Sequence, residues 1–274
     1  MIKKMQLPLQ RSFLTNSGPR IVAGPRIVAG SALVPATFHE ALRGERASVL
    51  LTDPPYCRLV RRREPARGAR QRKLALDATT LRFENMAHYA AFTRDWMTQA
   101  ITYGLIPKAH MIIWTNPLGR GTIISEAQRH GYVLADEFVW AKRTMAGSGA
   151  ATNTNEVLVR VHESALILRH ISSTSTSSSS SLASSKEHWS LPRAVITDHV
   201  QHDHPCHKPL AVALPLVHGW TMGGDLILDC FAGSGGICEA VVRAGSGRRT
   251  VGIEISSEWA RRATDLLLQA QPTD

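Results

Sequence analysis

Short apolar runs alternate along the chain with stretches of helical periodicity, and this alternation predicts an α/β fold. The first clear strand is RIVA at Arg26–Ala29, the second copy in the tandem repeat GPRIVAGPRIVAG over 18–30. Residues 36–43 read as a short helix, and Val49 to Thr52 as a buried strand. In ENMAHYAAFTRDWMTQAITYGL, the residues Met86, Tyr89, Ala90, Trp96, Met97 and Ile101 recur at helical spacing, and this helix feeds a strand over 110–116. Another helix is expected over 121–130, then strands over 137–142 and 163–170, separated by a loop rich in Gly, Ser and Asn. Near the end, a helix runs from about Pro209 to Gly219 with proline in its first turn. DLILD then reads as a strand that runs into a glycine turn. ICEAVVRAGS is a helix with Glu239 early and Arg243 late, as the helix dipole prefers. RRTVGIEIS is a strand ending on Glu254, and the last helix is capped by Ser256 or Ser257.

Two stretches lack any period. ISSTSTSSSSSLASS, over 171–185, cannot build a core and reads as a linker or surface loop. CRLVRRREPARGARQRK holds eight Arg or Lys between Arg58 and Lys73, interrupted by Pro65 and Gly68, and reads as a basic loop. The whole chain agrees in sign: 32 Lys and Arg against 22 Asp and Glu give a net charge of +10, which favours a polyanionic partner. With 274 residues, 43% of them hydrophobic, there is enough core for one large α/β domain or two small ones. No apolar run approaches the ~20 residues of a membrane span, and the first residues make a poor secretory signal. Cys57, Cys206, Cys230 and Cys238 form no CxxC pair and read as the reduced thiols of a cytoplasmic protein.

Two corners carry candidate chemistry. At the first, the strand ending at Thr52 runs into Asp53, Pro54, Pro55 and Tyr56. Two prolines fix φ and remove two backbone donors, which leaves a rigid corner of carbonyl and carboxylate acceptors beside an aromatic face. Asp and Pro are also ordinary turn residues, but the basic loop that follows suits a grip on phosphates. At the second corner, a strand, a glycine-rich turn, a helix and a strand ending in an acid about 20 residues on form a nucleotide-binding half. Gly233, Gly235 and Gly236 let the backbone approach a ligand, Glu254 suits ribose hydroxyls, and Asp229 suits a polar or cationic group. The pattern GxGxxG fails because position 238 is Cys, and no GxxxxGK[ST] loop is present. NAD and ATP are therefore disfavoured, and S-adenosylmethionine is the candidate nucleoside.

DPPY at 53–56 followed by FAGSGG at 231–236 resembles the β-class DNA aminomethyltransferases, in which the catalytic motif comes first and the cofactor motif last. HPCHKP at 204–209 is similar to that class's HPxxKP segment, EFVWAKRTMAGSGA to its WxK strand, RVHESALIL to its HE strand, and ASVLLTDPPY to its approach to the catalytic corner. The resemblance covers residues from about 26 to 265. It implies a Rossmann-like seven-stranded methyltransferase sheet in circularly permuted motif order, with four parts. These are an N-terminal extension (1–25), a catalytic half (26–142), a target-recognition and linker region (143–203) and a cofactor half (204–274). Asp53 and the Pro54 carbonyl are expected to accept the N–H groups of a flipped adenine, with Pro55 stiffening the corner and Tyr56 stacking on the base. Asp229, Phe231, Ala232, Gly233, Ser234, Gly235 and Glu254 are expected to hold S-adenosylmethionine, with His204 and Lys208 nearby. Arg58, Arg61, Arg62, Arg63, Arg67, Arg70, Arg72 and Lys73, with Lys142 and Arg143, are expected to hold the phosphate backbone of double-stranded DNA. The resemblance also allows a homodimer and a cognate restriction endonuclease as partners in a restriction-modification system. Cys57 stands where the family often has Gly, and Gly30-Ser31 where Gly-Asp is common.

Other readings compete. The same corner suits the amine of cytosine N4, although Asp rather than Ser at position 53 favours adenine. A non-catalytic DNA-binding protein on this fold would not need DPPY, the glycine turn and Glu254 together. RNA and protein methyltransferases with a related corner usually begin it with Asn and place the cofactor motif first. His199, His202, His204, Cys206 and His207 are suitable metal ligands, but their spacing fits no standard zinc site and no metal is expected. His162 and Glu163 read as polar residues at the start of a strand rather than as acid–base groups.

Overall fold

In the computed structural model, residues 24–60, 81–143, 162–173, 193–198, 204 and 207–270 are described. Strand β1 (Arg26–Ala29) leads to α1 (Pro35–Leu42), which starts on a proline and stops where Arg43 turns left-handed at φ 51°. β2 (Ala47–Thr52) is buried along nearly its whole length. α2 (Met86–Gln99) is capped by the Asn85 side chain, which accepts the His88 N–H, and it runs on into a π-helical turn over Ala100–Gly104. β3 (Leu105–Thr115), α3 (Pro117–Arg129), β4 (Tyr132–Arg143), β5 (His162–His170) and β6 (Arg193–Asp198) complete the front of the chain. The back consists of α4 (Leu210–Trp220), β7 (Leu226–Asp229), α5 (Gly236–Ala244), β8 (Arg249–Glu254) and α6 (Ser257–Ala270).

Among the described residues, eight strands lie in one sheet, ordered β1-β8-β7-β2-β3-β5-β4-β6. β5 runs antiparallel to both β3 and β4, and every other neighbouring pair is parallel. Seven of the strands make up the expected Rossmann-like sheet and β6 extends it at one edge. The permuted order is visible in the connectivity, because the last two strands in sequence fill the space between the first two.

Both faces of the sheet are covered, and β2 shows why its sequence is continuously apolar. Leu50 packs with Phe38, Leu42, Trp96 and Met97 of α1 and α2 on one face. Val49 and Leu51 pack with Val212, Leu216, Ile237 and Val241 of α4 and α5 on the other. A strand buried on both sides has no polar face to alternate with. The helix that follows β2 and the helix that follows β7 therefore lie on opposite faces. The crevice where connections from neighbouring strands diverge opens between these two strand tips, and in open α/β sheets this is where ligands bind.

The element bounds differ from expectation where pairing is non-local. β3 begins at Leu105 rather than 110, running through Pro107 and the left-handed Lys108 (φ 64°), with a register shift against β2 between Ala47 and Val49. β4 begins at Tyr132 rather than 137 because Tyr132, Val133 and Leu134 pair with the end of β5. β6 was not expected at all: it lies in the region read as recognition segment and pairs in parallel with the end of β4. Residues 174–185 of the Ser-rich tract lie outside the described residues. Among the described residues, no helix is long and apolar enough to cross a membrane.

Candidate active site

The parallel strands β2, β7, β8 and β3 end at one edge of the sheet, on Thr52, Asp229, Glu254 and Thr115. Because β5 runs the other way, its first residues arrive at the same edge, with Ser164 opposite Thr115 and Glu163 opposite Trp140. The Thr52 hydroxyl joins the two candidate corners: it donates to Asp229 Oδ1 (2.7 Å) and accepts the Cys230 N–H (3.1 Å).

Asp53 follows Thr52 directly. Its Oδ2 lies 2.5 Å from Lys208 Nζ, and the same ammonium lies 3.2 Å from Glu163 Oε2. The Tyr56 hydroxyl donates to that Glu163 oxygen (2.8 Å). The Lys208 and Asp53 side chains are only 3% and 8% exposed. Rings of Tyr56, Trp114 and Trp140 surround the ammonium at 5.3, 5.2 and 5.9 Å, a cation–π cage. Burial pushes the Asp53 carboxyl upward, Lys208 opposes this, and Glu163 adds to it, leaving it above its ordinary value. Burial, together with Asp53 and Glu163, raises the Tyr56 hydroxyl well above its ordinary value and keeps it a donor.

The corner is braced from outside. Asn116 caps α3 by accepting the Gly119 N–H with Oδ1 (2.9 Å), and its amide donates to the Cys57 carbonyl (2.9 Å). Cys57 is buried with Phe83 and Tyr89. Backbone hydrogen bonds between Arg58, Val60 and Phe83 close the base of the basic loop. Arg58 is exposed there. Arg61, Arg62, Arg63, Arg67, Arg70, Arg72 and Lys73 lie outside the described residues. Lys142 and Arg143 occupy the last two positions of β4, beside Thr197 and Asp198 of β6.

At the second corner, Gly235 sits at φ 88° and opens α5, a conformation that side chains rarely adopt. Glu254 is tied to the turn, with Oε2 accepting the Gly233 N–H (2.8 Å) and Oε1 the Ser256 N–H (2.9 Å). Each of its oxygens keeps a lone pair for a ribose hydroxyl. Ile255, next to it, is 77% exposed, an apolar surface beside the acid. His204 packs edge-on against Trp259, and His207 shares a hydrogen bond with the Ser234 hydroxyl (2.8 Å). Phe231 packs against Phe92 and Trp96, and Ala232 is buried. Asp229 Oδ1 accepts the Thr52 hydroxyl and the Phe231 N–H, while the buried Oδ2 has no partner among the described residues. Burial raises this carboxyl to about 7. An orphaned, buried carboxylate oxygen beside a ribose-ready acid fits a nucleoside that carries a cationic amine, as S-adenosylmethionine does.

The structure thus brings Asp53, Pro54, Pro55 and Tyr56 to the same edge as Asp229, the Phe231–Gly235 turn, Glu254 and His204. Lys208 reaches both corners. Its backbone meets the glycine turn, where a side-chain carbon at Gly236 would sit 2.5 Å from the Lys208 carbonyl. Its ammonium goes to the first corner, because the segment leading into α4 passes between the two strand tips. Glu163, read from sequence as a polar strand-start residue, is part of this corner, and so are Trp114 and Asn116. The RVHESALIL motif marked the Glu163 strand, but its place at this edge follows from the antiparallel run of β5.

Comparisons with known proteins agree with this architecture. The DNA adenine methyltransferase YhdJ of Escherichia coli (strain K12) is 36% identical over 73 residues, 27% of this chain. The curated relatives it matches are aligned over 29% and 24% of their own lengths. The crystal structure of the M1.HpyAVI–SAM complex superposes with a TM-score of 0.60 at 19% identity, over 88% of this chain and 98% of that one. The PvuII DNA methyltransferase (cytosine-N4-specific) also gives 0.60, at 13% identity, over 90% and 93%. With the DNA methylase family model matching residues 47–265, the chain belongs to the N6/N4 DNA methylase family.

Proposed function

We propose that the protein is a DNA aminomethyltransferase that uses S-adenosylmethionine to methylate the N6 amine of an adenine turned out of the duplex. The observation that carries this reading is the Thr52–Asp229 hydrogen bond, which fastens the acceptor corner to the cofactor turn at adjacent strand tips. S-adenosylmethionine supplies an electrophilic methyl group on a sulfonium. Glu254 is suited to its ribose and Asp229 Oδ2 to its cationic amine.

The target amine is a weak nucleophile, since its lone pair is conjugated with the ring. Asp53 and the Pro54 carbonyl accept its N–H groups, which draws the nitrogen toward a tetrahedral shape and frees the lone pair. Neither proline offers a competing donor. Tyr56, whose hydroxyl is held by Glu163, offers a braced ring for stacking. A base within a duplex is out of reach of such a buried corner, so it must be flipped, and Arg58 with the basic loop it opens is suited to gripping the deformed backbone.

Asp at position 53 and the similarity to YhdJ favour adenine. The test is to incubate the purified chain with unmethylated DNA and S-adenosylmethionine, digest to nucleosides and measure methylated bases by mass spectrometry. N6-methyladenine is the expected product. N4-methylcytosine would keep the chemistry and replace the base, and no product would overturn the reading. Asp53→Ala is expected to bind DNA and cofactor and to methylate nothing, which separates an enzyme from a binding protein.

A further inference from the structure

The first corner holds more charge than the acceptor role needs. Asp53 follows β2, Glu163 stands on β5, and Lys208 precedes α4, with the Tyr56 hydroxyl between them. Asp229, at the tip of β7, is the next titratable group along the edge and also acts on the corner's charge. Two carboxylates this close repel each other in a buried site, and the single ammonium between them offsets that repulsion. The ammonium is also specific in what it takes. It contacts Asp53 Oδ2, and among the described residues the buried Asp53 Oδ1 has no hydrogen-bond partner. A buried acceptor left unsatisfied is destabilising. Such an atom is matched by a donor that arrives with the substrate, and an exocyclic amine brings two.

We propose that Lys208 is a positioning residue of this corner: it clamps Asp53 Oδ2, so that Oδ1 is the oxygen presented to the incoming amine, and Glu163 anchors both Lys208 and the Tyr56 hydroxyl. This rests on the aminomethyltransferase reading above. The aromatic cage of Tyr56, Trp114 and Trp140 holds the ammonium in the corner. In this role Lys208 acts on the amine through Asp53.

The two anchors must affect Asp53 in opposite senses. Without Lys208, Asp53 faces Glu163 with no cation between them, and its carboxyl rises. Without the Glu163 charge, it keeps the cation and loses the repulsion, and its carboxyl falls. A purely structural role produces no such opposition.

The experiment uses the full chain as wild type, Lys208→Gln, Lys208→Arg and Glu163→Gln, with calorimetry of S-adenosylmethionine binding to confirm that each folds. The Asp53 carboxyl is titrated by carbon-13 NMR in protein labelled at aspartate carboxyls, assigned with Asp53→Asn, and the pH profile of DNA methylation is recorded beside it. Lys208→Gln is expected to raise the Asp53 midpoint by at least about one pH unit. The acid limb of the profile should follow, costing up to about tenfold in activity there for each unit. Glu163→Gln is expected to lower the midpoint, and Lys208→Arg to return it toward wild type. Midpoints that stay put, or that move in the same sense in both neutral variants, overturn the proposal. If Lys208→Gln does not fold, the Glu163→Gln midpoint decides alone: a fall supports the clamp and no fall overturns it. Opposed midpoints in a chain that methylates no base would keep the clamp and overturn the reaction.

Discussion

At Asp229, fold and ligand pull the ionisation in opposite directions. Burial lifts its carboxyl from 3.8 to about 7, so the fold prefers the protonated form. The stability this contributes is complete below about pH 4 and is lost as pH rises through about 7. Asp229→Asn is neutral throughout, so thermal melting between pH 5 and 8 should be flatter than in wild type, with the variant the more stable at pH 8. A cationic amine at Oδ2 reverses the preference by favouring the ionised form. Cofactor affinity, measured by calorimetry, is therefore expected to rise with pH through about 7 in the wild type and to stay level in the Asn variant. Residue identity announced this site, since an acid at the end of a strand before a glycine turn is legible in one dimension. What sequence could not supply was the Thr52 hydroxyl on Oδ1, because Thr52 lies 177 residues away. Lys208 has the same history: its motif was visible in HPCHKP, but its partner Asp53 is 155 residues away.

Helix α3 shows how one cap can serve a site. Asn116 closes the first turn of α3 with its carbonyl oxygen and holds the Cys57 carbonyl with its amide. Asn116→Asp retains the cap acceptor and places an oxygen against the Cys57 carbonyl where a donor stood. It is expected to leave α3 formed, by circular dichroism, while lowering methylation several-fold. Asn116→Ala removes both functions and should also lower stability by about 1 kcal/mol, read from denaturant unfolding. The Asn-Pro pair at 116–117 is an ordinary helix start signal, yet the expected helix began later, at 121, because Gly119 and Gly121 weaken the local pattern. The early start is secured by Pro117 in the first turn and by Asn116 itself. β3 and β4 were likewise foreshortened, since their opening residues are held by pairing with distant strands rather than by apolar alternation.

At the scale of the molecule, the sheet interleaves the two ends of the chain: β8 and β7 stand between β1 and β2. A fragment ending at residue 173 would leave β1 without its neighbour β8 and β2 without β7. A fragment over 204–274 would hold two strands without their outer partners. Neither fragment is expected to unfold cooperatively alone, whereas co-expression should restore a single thermal transition, followed by circular dichroism. By itself the sequence determined the α/β class, the buried strands, the glycine turn, both acidic strand tips and the permuted order of the motifs. These are set by local periodicity, backbone chemistry and spacing along the chain, all of which are one-dimensional. Only the tertiary structure decided that β5 runs backwards, which brings Glu163 to the edge that carries Asp53. It also decided that Lys208 turns from the cofactor loop to Asp53 and that Trp114 and Trp140 close around it. Those placements depend on which strands become neighbours and in which direction they run, and that is settled by burying both faces of the sheet at once.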